Sequence, residues 1–285
     1  MIAAILAAAL AFTPGDAHLA YETAKEIVED CTPRDAGTLR ARLAANRILD
    51  LASATGADVR LERFTAMTPR GERNFFNLSS EFCANPEGEW VVIVSHFDTK
   101  PGVNCPGAND GASTTGLLVA LANALERWQT PRGNVMLLWT DGEECWQQYG
   151  ENDGLWGSRH AAAKLVESGR KVRAVIALDM LGDRDLKISI PRNSTESLAE
   201  LAEYAAGKAK LEGLVGHIRE IVKDDHAPFM AAGFKGIDLI DFEYGSKPGR
   251  NDYWHTEADT MDKISEASLE KAGRLVVEML NALLI

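Results

Sequence analysis

The sequence predicts an α/β fold with three layers, in which a central mixed, mostly parallel sheet lies between two layers of helices. Strand-like and helix-like segments alternate along most of the chain, as they do when helices connect parallel strands. Four short runs are almost entirely apolar, which is typical of central strands buried on both faces: Val91–Ser95, Val135–Trp139, Val175–Leu178 and Ile237–Ile240. No internal repeat or long linker divides the 285 residues, so residues 18–285 are predicted to form a single domain.

The individual elements are predicted from periodicity and composition. Residues 18–55 place apolar side chains such as Leu39, Leu43 and Ile48 at helical spacing and are predicted to be helical. The predicted strands are Asp58–Ala66, Asn74–Phe82, Trp90–Ser95, Val135–Trp139, Ala174–Leu181, Leu186–Ile190, His217–Val222 and Ile237–Phe242. The later helices are predicted at 113–127, Ser158–Glu167, Ser197–Ala209, Pro228–Ala232 and Ser265–Leu284.

Residues 1–17 are predicted to be a secretory signal peptide. Residues 2–12 are apolar and uncharged but too short to span a bilayer, and Gly15-Asp16-Ala17 offers small residues for cleavage. No Lys or Arg precedes this run, so an uncleaved anchor or a simple packed N-terminus is the alternative. With the signal removed, we expect a secreted or periplasmic protein without stable membrane insertion.

The net charge and the cysteines indicate which partners and which kinds of site the protein can have. The net charge of −12 and the absence of a basic block argue against nucleic acid as a partner. One or two disulfides are expected in an exported chain with Cys31, Cys83, Cys105 and Cys145, and sequence cannot choose among the three complete pairings. A Cys105–Cys145 bond could brace two loops, or these residues could be separate small apolar side chains. No Cys-x-x-Cys spacing supports a zinc-thiolate site.

Acids and histidines stand where the apolar runs end. Function in such sheets collects beyond the carboxyl ends of the strands, so these side chains are the candidates for a site. Glu143 and Glu144 directly follow one buried run, and adjacent carboxylates are costly there unless a cation or a mobile proton needs them. The other candidates are His96, Asp98, Asp110, Asp179, Asp224, Asp225, Asp238 and His255. Each also has a structural alternative, such as helix capping by Asp110.

These residue types suit a catalytic zinc ion. Zinc accepts carboxylate and imidazole ligands, and a catalytic zinc keeps three protein ligands and an open position. Asp110, Glu144 and His255 would fit this set, which leaves Glu143 as a general base. A serine hydrolase is poorly supported, because residues 111–115 lack the second glycine of a nucleophile elbow.

Several motifs, in the same order along the chain, resemble those of the zinc aminopeptidase (M28) superfamily that includes glutaminyl cyclases. They are His-x-Asp at 96–98, Gly-Ala-x-Asp-Gly-Ala-Ser at 107–113, Asp-Gly-Glu-Glu at 141–144, Leu-Asp-Met-Leu-Gly at 178–182 and His-Thr at 255–256. The chain looks most similar to glutaminyl-peptide cyclotransferases of the animal type. That likeness lies in Gly-Ser-Arg-His at 157–160, Asp-Asp-His-x-Pro-Phe at 224–229 and Trp-His at 254–255.

The resemblance implies an acyltransferase that converts the N-terminal Gln of peptides or proteins to pyroglutamate and releases ammonia. It also implies one zinc ion held by Asp110, Glu144 and His255. A monomer that acts on peptide or protein substrates with a free N-terminus is expected.

The same resemblance assigns roles around the metal. Glu143 would be the proton shuttle, and Asp179 and Asp224 would be bonded around it as catalytic residues. Trp254 would line the glutamine pocket. Tyr149 stands where many animal cyclases carry Trp, and it is the second residue predicted to bind substrate.

The chain differs from the animal cyclases in two features that bear on substrate preference. The cysteine pair of the vertebrate enzymes is missing, since Ser95 and Thr115 stand at those positions. The loop 243–252 is polar and would form the rim of the pocket.

Two other functions stay open. In a two-zinc aminopeptidase, Glu143 would activate water, and the five ligands would be His96, Asp110, Glu144, Asp179 and His255. A catalytically silent binding module is disfavoured, because the candidate ligands and the base are all present.

Overall fold

The computed structural model describes residues 9–129 and 131–284. The helices of this part are α1 (Pro14–Cys31), α2 (Leu39–Ser53), α3 (Thr114–Glu126), α4 (Trp156–Ser168), α5 (Glu196–Lys208), α6 (His226–Ala231) and α7 (Glu266–Leu283). The strands are β1 (Val59–Thr68), β2 (Gly71–Phe82), β3 (Trp90–His96), β4 (Asn134–Thr140), β5 (Val172–Asp179), β6 (Ile188–Ile190), β7 (Val215–His217) and β8 (Gly236–Ile240). A π-helical turn at Ala108–Ser113 and a 3-10 turn at Met261–Lys263 complete the regular structure.

These strands form one mixed sheet. Their order, in the described residues, is β1-β2-β4-β3-β5-β8-β6-β7. The four strands at its centre, β4, β3, β5 and β8, are parallel to one another. The antiparallel pairs are β1 with β2, β2 with β4, and β6 with β8. The prediction of a mixed, mostly parallel sheet is therefore confirmed.

Helices cover both faces of this sheet, which confirms the three predicted layers. Alternate side chains such as Ile93 and Ile176 face a large core formed with α1, α2, α3, α5 and α7. Their neighbours Val92 and Val175 face the opposite way and pack with α4 and α6. Because both sets are apolar, the central strands read as continuous apolar runs in the sequence.

One predicted region is interrupted and one predicted strand is misplaced. Residues 18–55 are mostly helical as predicted but form two helices, because Pro33 cannot continue α1 and Gly37, at φ 71°, turns the chain before Thr38 caps α2. The strand predicted at His217–Val222 is instead Val215–His217. Val222 lies beyond this strand, where its backbone N–H and C=O pair with the Asn193 amide at 3.1 and 2.8 Å.

The predicted signal boundary at residue 17 falls inside α1. Thr13 and Asp16 form a capping box there, and the buried Asp16 accepts two hydrogen bonds of 2.8 Å from Arg127. The backbone of Leu10 pairs with the Asn281 amide at 3.0 Å, and Phe12 packs so closely on Gly273 that a Cβ there would lie 2.4 Å from its ring. Residues 10–17 are thus part of the domain. Residues 1–8, with most of the predicted apolar run, lie outside the described residues.

Two further expectations concern membranes and disulfides. In residues 9–129 and 131–284, no helix combines the length and hydropathy needed to cross a membrane. All four cysteines are free, so the expected disulfides are not formed. Cys145 Sγ instead lies 3.4 Å from Lys100 Nζ, and Cys105 is buried beside Asp259.

Candidate active site

The loop after β3 fixes the backbone of the two adjacent glutamates. The buried Asp98 carboxylate accepts hydrogen bonds from Glu143 N–H at 3.0 Å and from Glu144 N–H at 3.2 Å. Its Oδ1 also lies 3.5 Å from His96 Nδ1, as the predicted contact between this histidine and a carboxylate requires. The sequence did not predict these two hydrogen bonds to the glutamate backbone. They fix the backbone of two adjacent residues, Glu143 and Glu144, whose side chains point in different directions.

Glu144 points toward Asp110 and His255, and the three residues form a candidate metal site. His255 Nε2 lies 2.7 Å from Glu144 Oε1 and 3.4 Å from Asp110 Oδ2. Each residue offers one donor atom, and these atoms lie within 4.8 Å of one another. Asp110 Oδ2 is buried without a hydrogen-bond partner, so a lone pair is free for a cation. Two carboxylates and one imidazole fit the donor set of a catalytic zinc.

The position of Asp110 is set by a second acid. The buried Asp259 carboxylate accepts Asn109 N–H at 2.7 Å and Asp110 N–H at 3.1 Å, and Tyr244 Oη donates to it at 2.6 Å. The next residue must be glycine, because a Cβ on Gly111 would lie 2.6 Å from the carbonyl oxygen of His96. Asp259 therefore orients a candidate ligand without contacting the site itself.

His255 is held in an uncommon backbone conformation. Its φ of 56° lies in the left-handed region, which costs a residue with a side chain about 1–3 kcal/mol when the surroundings impose it. The Trp254 ring stacks on the imidazole with 3.8 Å between centroids. This arrangement turns Nε2 toward the two carboxylates while the indole forms part of the pocket wall.

A second group of donors shares Asp110. His96 Nε2 lies 3.3 Å from Asp110 Oδ1 and 3.1 Å from Asp179 Oδ1. Asp110 thus presents one oxygen to each group, as a carboxylate that bridges two metals would. The structure brings together all five ligands that the aminopeptidase alternative requires.

Glu143 lies beside these groups and faces an open pocket. Its carboxylate is buried, and Tyr149 Oη donates to its Oε1 at 2.8 Å. Burial raises the pKa of the Glu143 carboxyl well above its usual range, and the charges of Glu144 and Asp224 raise it further. Burial also raises the pKa of Asp224 well above its usual range, with a further contribution from Asp179. A carboxyl group with a raised pKa can both accept and return a proton near neutral pH.

The pocket has a volume of about 340 Å³ and two kinds of wall. The apolar side chains, called the apolar wall below, are Ile221, Val222, Ile240, Phe242 and Trp254, with the Phe242 and Trp254 rings 5.7 Å apart. The polar lining residues are Asp110, Glu143, Glu144, Tyr149, Asp179, Glu220, Lys223, Asp224 and His255. The residues predicted to hold metal, move protons and bind substrate therefore meet in one cavity.

A third cluster, formed by Asp224, His226 and Asp238, also has donor atoms within 4.8 Å of one another. The Asn193 amide nitrogen donates to His226 Nε2 at 2.8 Å, since Asn193 Oδ1 already accepts Val222 N–H. The neutral imidazole then carries its proton on Nδ1, which faces Asp238 at 3.9 Å. Burial lowers the pKa of His226 to about 4, which keeps this tautomer neutral. His226 Nδ1 faces Asp238 without a hydrogen bond, and Nε2 already accepts one from Asn193, so His226 is a poor metal ligand in this tautomer.

Negative charge dominates the site. Burial opposes protonation of His255, yet its contacts with Asp110 and Glu144 raise its pKa to about 9. Lys100 Nζ adds a positive charge 3.4 Å from Glu144 Oε2 and donates to the carbonyl of Cys145 at 2.8 Å. Because the carboxylates still outnumber these cations, a divalent ion would offset repulsion that the protein leaves uncompensated.

Sequence reasoning missed three residues that support the site. Arg34 is fully buried and donates to the carbonyls of Phe97, Pro106 and Gly107, which tie together the loops that lead to Asp98 and Asp110. No local pattern marks this arginine. Asp259 and Lys100 follow His255 and Asp98 within a few positions, so their proximity in sequence was the available signal.

Comparison with known proteins places the chain in a family. The model of peptidase family M28 matches residues 78–280, which is most of the chain. The protein belongs to peptidase family M28. Among curated M28 relatives, the glutaminyl-peptide cyclotransferase of Drosophila melanogaster is 25% identical over 273 residues, with 86% of this chain and 75% of the fly protein covered.

Solved structures agree with this assignment. The glutaminyl cyclase of an Acidobacteriales bacterium superposes with a TM-score of 0.88 at 32% identity, covering 99% of this chain and 98% of the other. A leucine aminopeptidase precursor from Bacteroides thetaiotaomicron has a TM-score of 0.83 at 24% identity and covers 95% and 99% of the two chains, which shows a shared fold. The predicted resemblance to glutaminyl cyclases within M28 is confirmed, and with it the prediction of an acyltransferase enzyme.

Proposed function

We propose that this M28 protein is a zinc-dependent glutaminyl-peptide cyclotransferase. It would convert the N-terminal Gln of peptides or proteins to pyroglutamate with release of ammonia. The observation that carries the proposal is the placement of Glu143 beside the Asp110–Glu144–His255 group in a pocket that also has an apolar wall. The similarity to glutaminyl cyclases at 25% identity or more supports the same activity.

Asp110, Glu144 and His255 would hold the zinc ion. A zinc ion bound there would act as a Lewis acid toward the γ-amide carbonyl of the substrate. One zinc is expected for the cyclase and two for the aminopeptidase, in which His96 and Asp179 would complete the second site.

The protein side chains would move the protons. Glu143 takes a proton from the α-amine as its nitrogen attacks the γ-carbonyl carbon, and the new C–N bond closes a five-membered ring. Glu143 then returns a proton to the amide nitrogen, whose bond to carbon breaks, and ammonia leaves. The charge of Asp224 would raise the pKa of Glu143 and so favour its protonated form, and the charge of Asp179 would act on Asp224 in the same way.

The apolar wall would bind and orient the substrate. The Trp254 and Phe242 rings lie against the cavity, where they would contact the methylene groups of the glutamine side chain. Holding the amine close to the carbonyl makes ring closure effectively intramolecular and well aligned.

The test compares two peptides that differ only in the first residue. The purified protein with added zinc is incubated with a Gln-initiated and a Leu-initiated peptide, and the products are weighed by mass spectrometry. Loss of one ammonia from the Gln peptide, with the chain intact, is the expected result. Release of free leucine would contradict the proposal in favour of the aminopeptidase, and metal analysis should then find two zinc ions per chain.

We also propose that residues 10–17 stay in the folded protein, because Thr13 and Asp16 form a capping box there, which favours the packed N-terminus over a cleaved signal peptide. N-terminal sequencing of the purified protein should find these residues. A chain that begins at residue 18 would contradict this placement and would support export by a signal peptide.

A further inference from the structure

The loop that follows Glu143 and Glu144 returns to the backbone of Glu143. The carbonyl oxygen of Glu143 accepts the N–H of Leu155 at 2.9 Å, which closes the segment 144–154. Within it, the Asp153 carboxylate accepts the N–H groups of Trp146, Gln147 and Gln148 at 2.6, 2.8 and 3.0 Å. Three charge-assisted hydrogen bonds to one carboxylate make this a fixed loop.

This loop brings Tyr149 back onto Glu143. The Tyr149 ring lies against Gly154, where a Cβ would come within 2.6 Å of ring carbon Cδ1. From there the hydroxyl donates to Glu143 Oε1 at 2.8 Å. A phenol is a hydrogen-bond donor at neutral pH, because its ordinary pKa is about 10.

The bond distinguishes the two oxygens of the carboxylate. In the described residues, the hydrogen bond from Tyr149 is the one that the Glu143 side chain accepts, and it occupies Oε1. Glu143 also lines the pocket, so Oε2 is the oxygen left to meet a substrate. Without the phenol, the carboxylate would be free to rotate about its terminal torsion, which has a broad energy minimum.

We propose that Tyr149 is a positioning residue for the general base: its hydroxyl holds Glu143 Oε1 so that Oε2 carries the proton. This role rests on the proposed function, in which Glu143 is the proton shuttle. It adds to the predicted role of Tyr149 in lining the substrate pocket, because a lining role needs the ring and not the hydroxyl.

Tyr149→Phe tests the proposal because it removes the hydroxyl and keeps the ring. Loss of the hydroxyl would leave Oε2 misaligned at the step of proton transfer, which predicts a fall in kcat of about tenfold or more, with KM changed less than about twofold. The solvent deuterium isotope effect on kcat should increase, because a poorly aligned base makes proton transfer a slower step. Tyr204→Phe is the matched control, since Tyr204 is 58% exposed and far from the site in the fold, and it should leave both constants unchanged.

The zinc content and circular dichroism spectrum of Tyr149→Phe should equal those of the wild type, which shows that the variant is folded. Its melting temperature should fall by a few degrees, because Glu143 Oε1 loses its hydrogen bond. An unchanged kcat, or a rise in KM alone, would overturn the positioning role. Failure of the proposed function is seen separately, as a wild-type protein that hydrolyses the Leu peptide and does not cyclise the Gln peptide. The same pair of variants would then be compared on Leu release, where Glu143 is again the base.

Discussion

Replacement of Asp98 by Asn should weaken both the fold and the site. Asp98 is fully buried and satisfies two backbone N–H groups, those of Glu143 and Glu144. An asparagine side chain has one oxygen. One of the two backbone N–H groups therefore keeps its acceptor, and the other faces the NH₂ group of the asparagine. Loss of a hydrogen bond to a charged acceptor costs about 1.5–3 kcal/mol, and the unpaired buried N–H adds about 1–3 kcal/mol.

One effect opposes this loss. Burial raises the pKa of Asp141 well above its usual range, and the charge of Asp98 raises it further, so Asp98→Asn relieves that repulsion. We therefore expect a net decrease of about 3 kcal/mol in the free energy of unfolding, near the lower end of the summed range. Because Glu143 and Glu144 would shift, zinc affinity and kcat should both fall.

Urea unfolding followed by tryptophan fluorescence measures this, at pH 7 with a chelator present so that metal binding does not contribute. Asp50→Asn is the control: Asp50 is exposed on α2, and its substitution should change the free energy of unfolding by less than about 0.5 kcal/mol. If the free energy of unfolding of Asp98→Asn lies within about 1 kcal/mol of the wild-type value, the reasoning is refuted. The hydrogen bonds from the two buried N–H groups to Asp98 would then contribute little to stability.

Three further predictions follow from the site and the N-terminus. Glu143→Gln should abolish turnover while zinc is retained, with Glu257→Gln at an exposed position as control; loss of zinc as well would contradict the separate roles of the two glutamates. Deletion of residues 2–17 should lower the free energy of unfolding by about 5 kcal/mol, because it removes Phe12, Leu10 and the buried Asp16 pair; an unchanged urea midpoint would contradict this. His226 stays neutral in the fold down to pH about 4, whereas an unfolded His takes a proton below about 6.5, so the contribution of this group falls as the pH drops between these values. Relative to His226→Gln, the wild type should lose about 2 kcal/mol more between pH 7 and pH 5, and parallel pH profiles of the two proteins would contradict the neutral assignment.

Burial decided which parts of the fold could be predicted. Strands such as β3 and β5 are covered on both faces, so their apolar composition identified them from sequence alone. The break between α1 and α2 was missed, although Pro33 and Gly37 were visible turn signals, because the apolar spacing continued across them. The short strand β7 was misplaced, since the Asn193 amide takes the backbone groups of Val222 and removes them from the sheet.

The same distinction holds for the site. Residues at the end of a strand or a few positions beyond it, such as Asp179 and Glu143, could be chosen because the carboxyl ends of parallel strands meet. Arg34 could not, since its partners Pro106 and Gly107 lie more than 70 positions away in the sequence. Asp98 was chosen for its contact with His96, whereas its bonds to the glutamate backbone depend on a loop path that the sequence does not reveal.

Ligand identity alone does not select the reaction of this protein. Asp110 turns one oxygen toward His255 and the other toward His96, so the same side chains could serve one metal or two. What differs between the two reactions is the nucleophile that reaches Glu143: a water molecule or the substrate's own amine. The pocket lining can serve both reactions: the apolar side chains of Phe242 and Trp254 can hold the methylene groups of a glutamine, and the carboxylates can hydrogen-bond a water molecule. The comparison of the Gln-initiated and Leu-initiated peptides therefore separates the two reactions where the set of metal ligands does not.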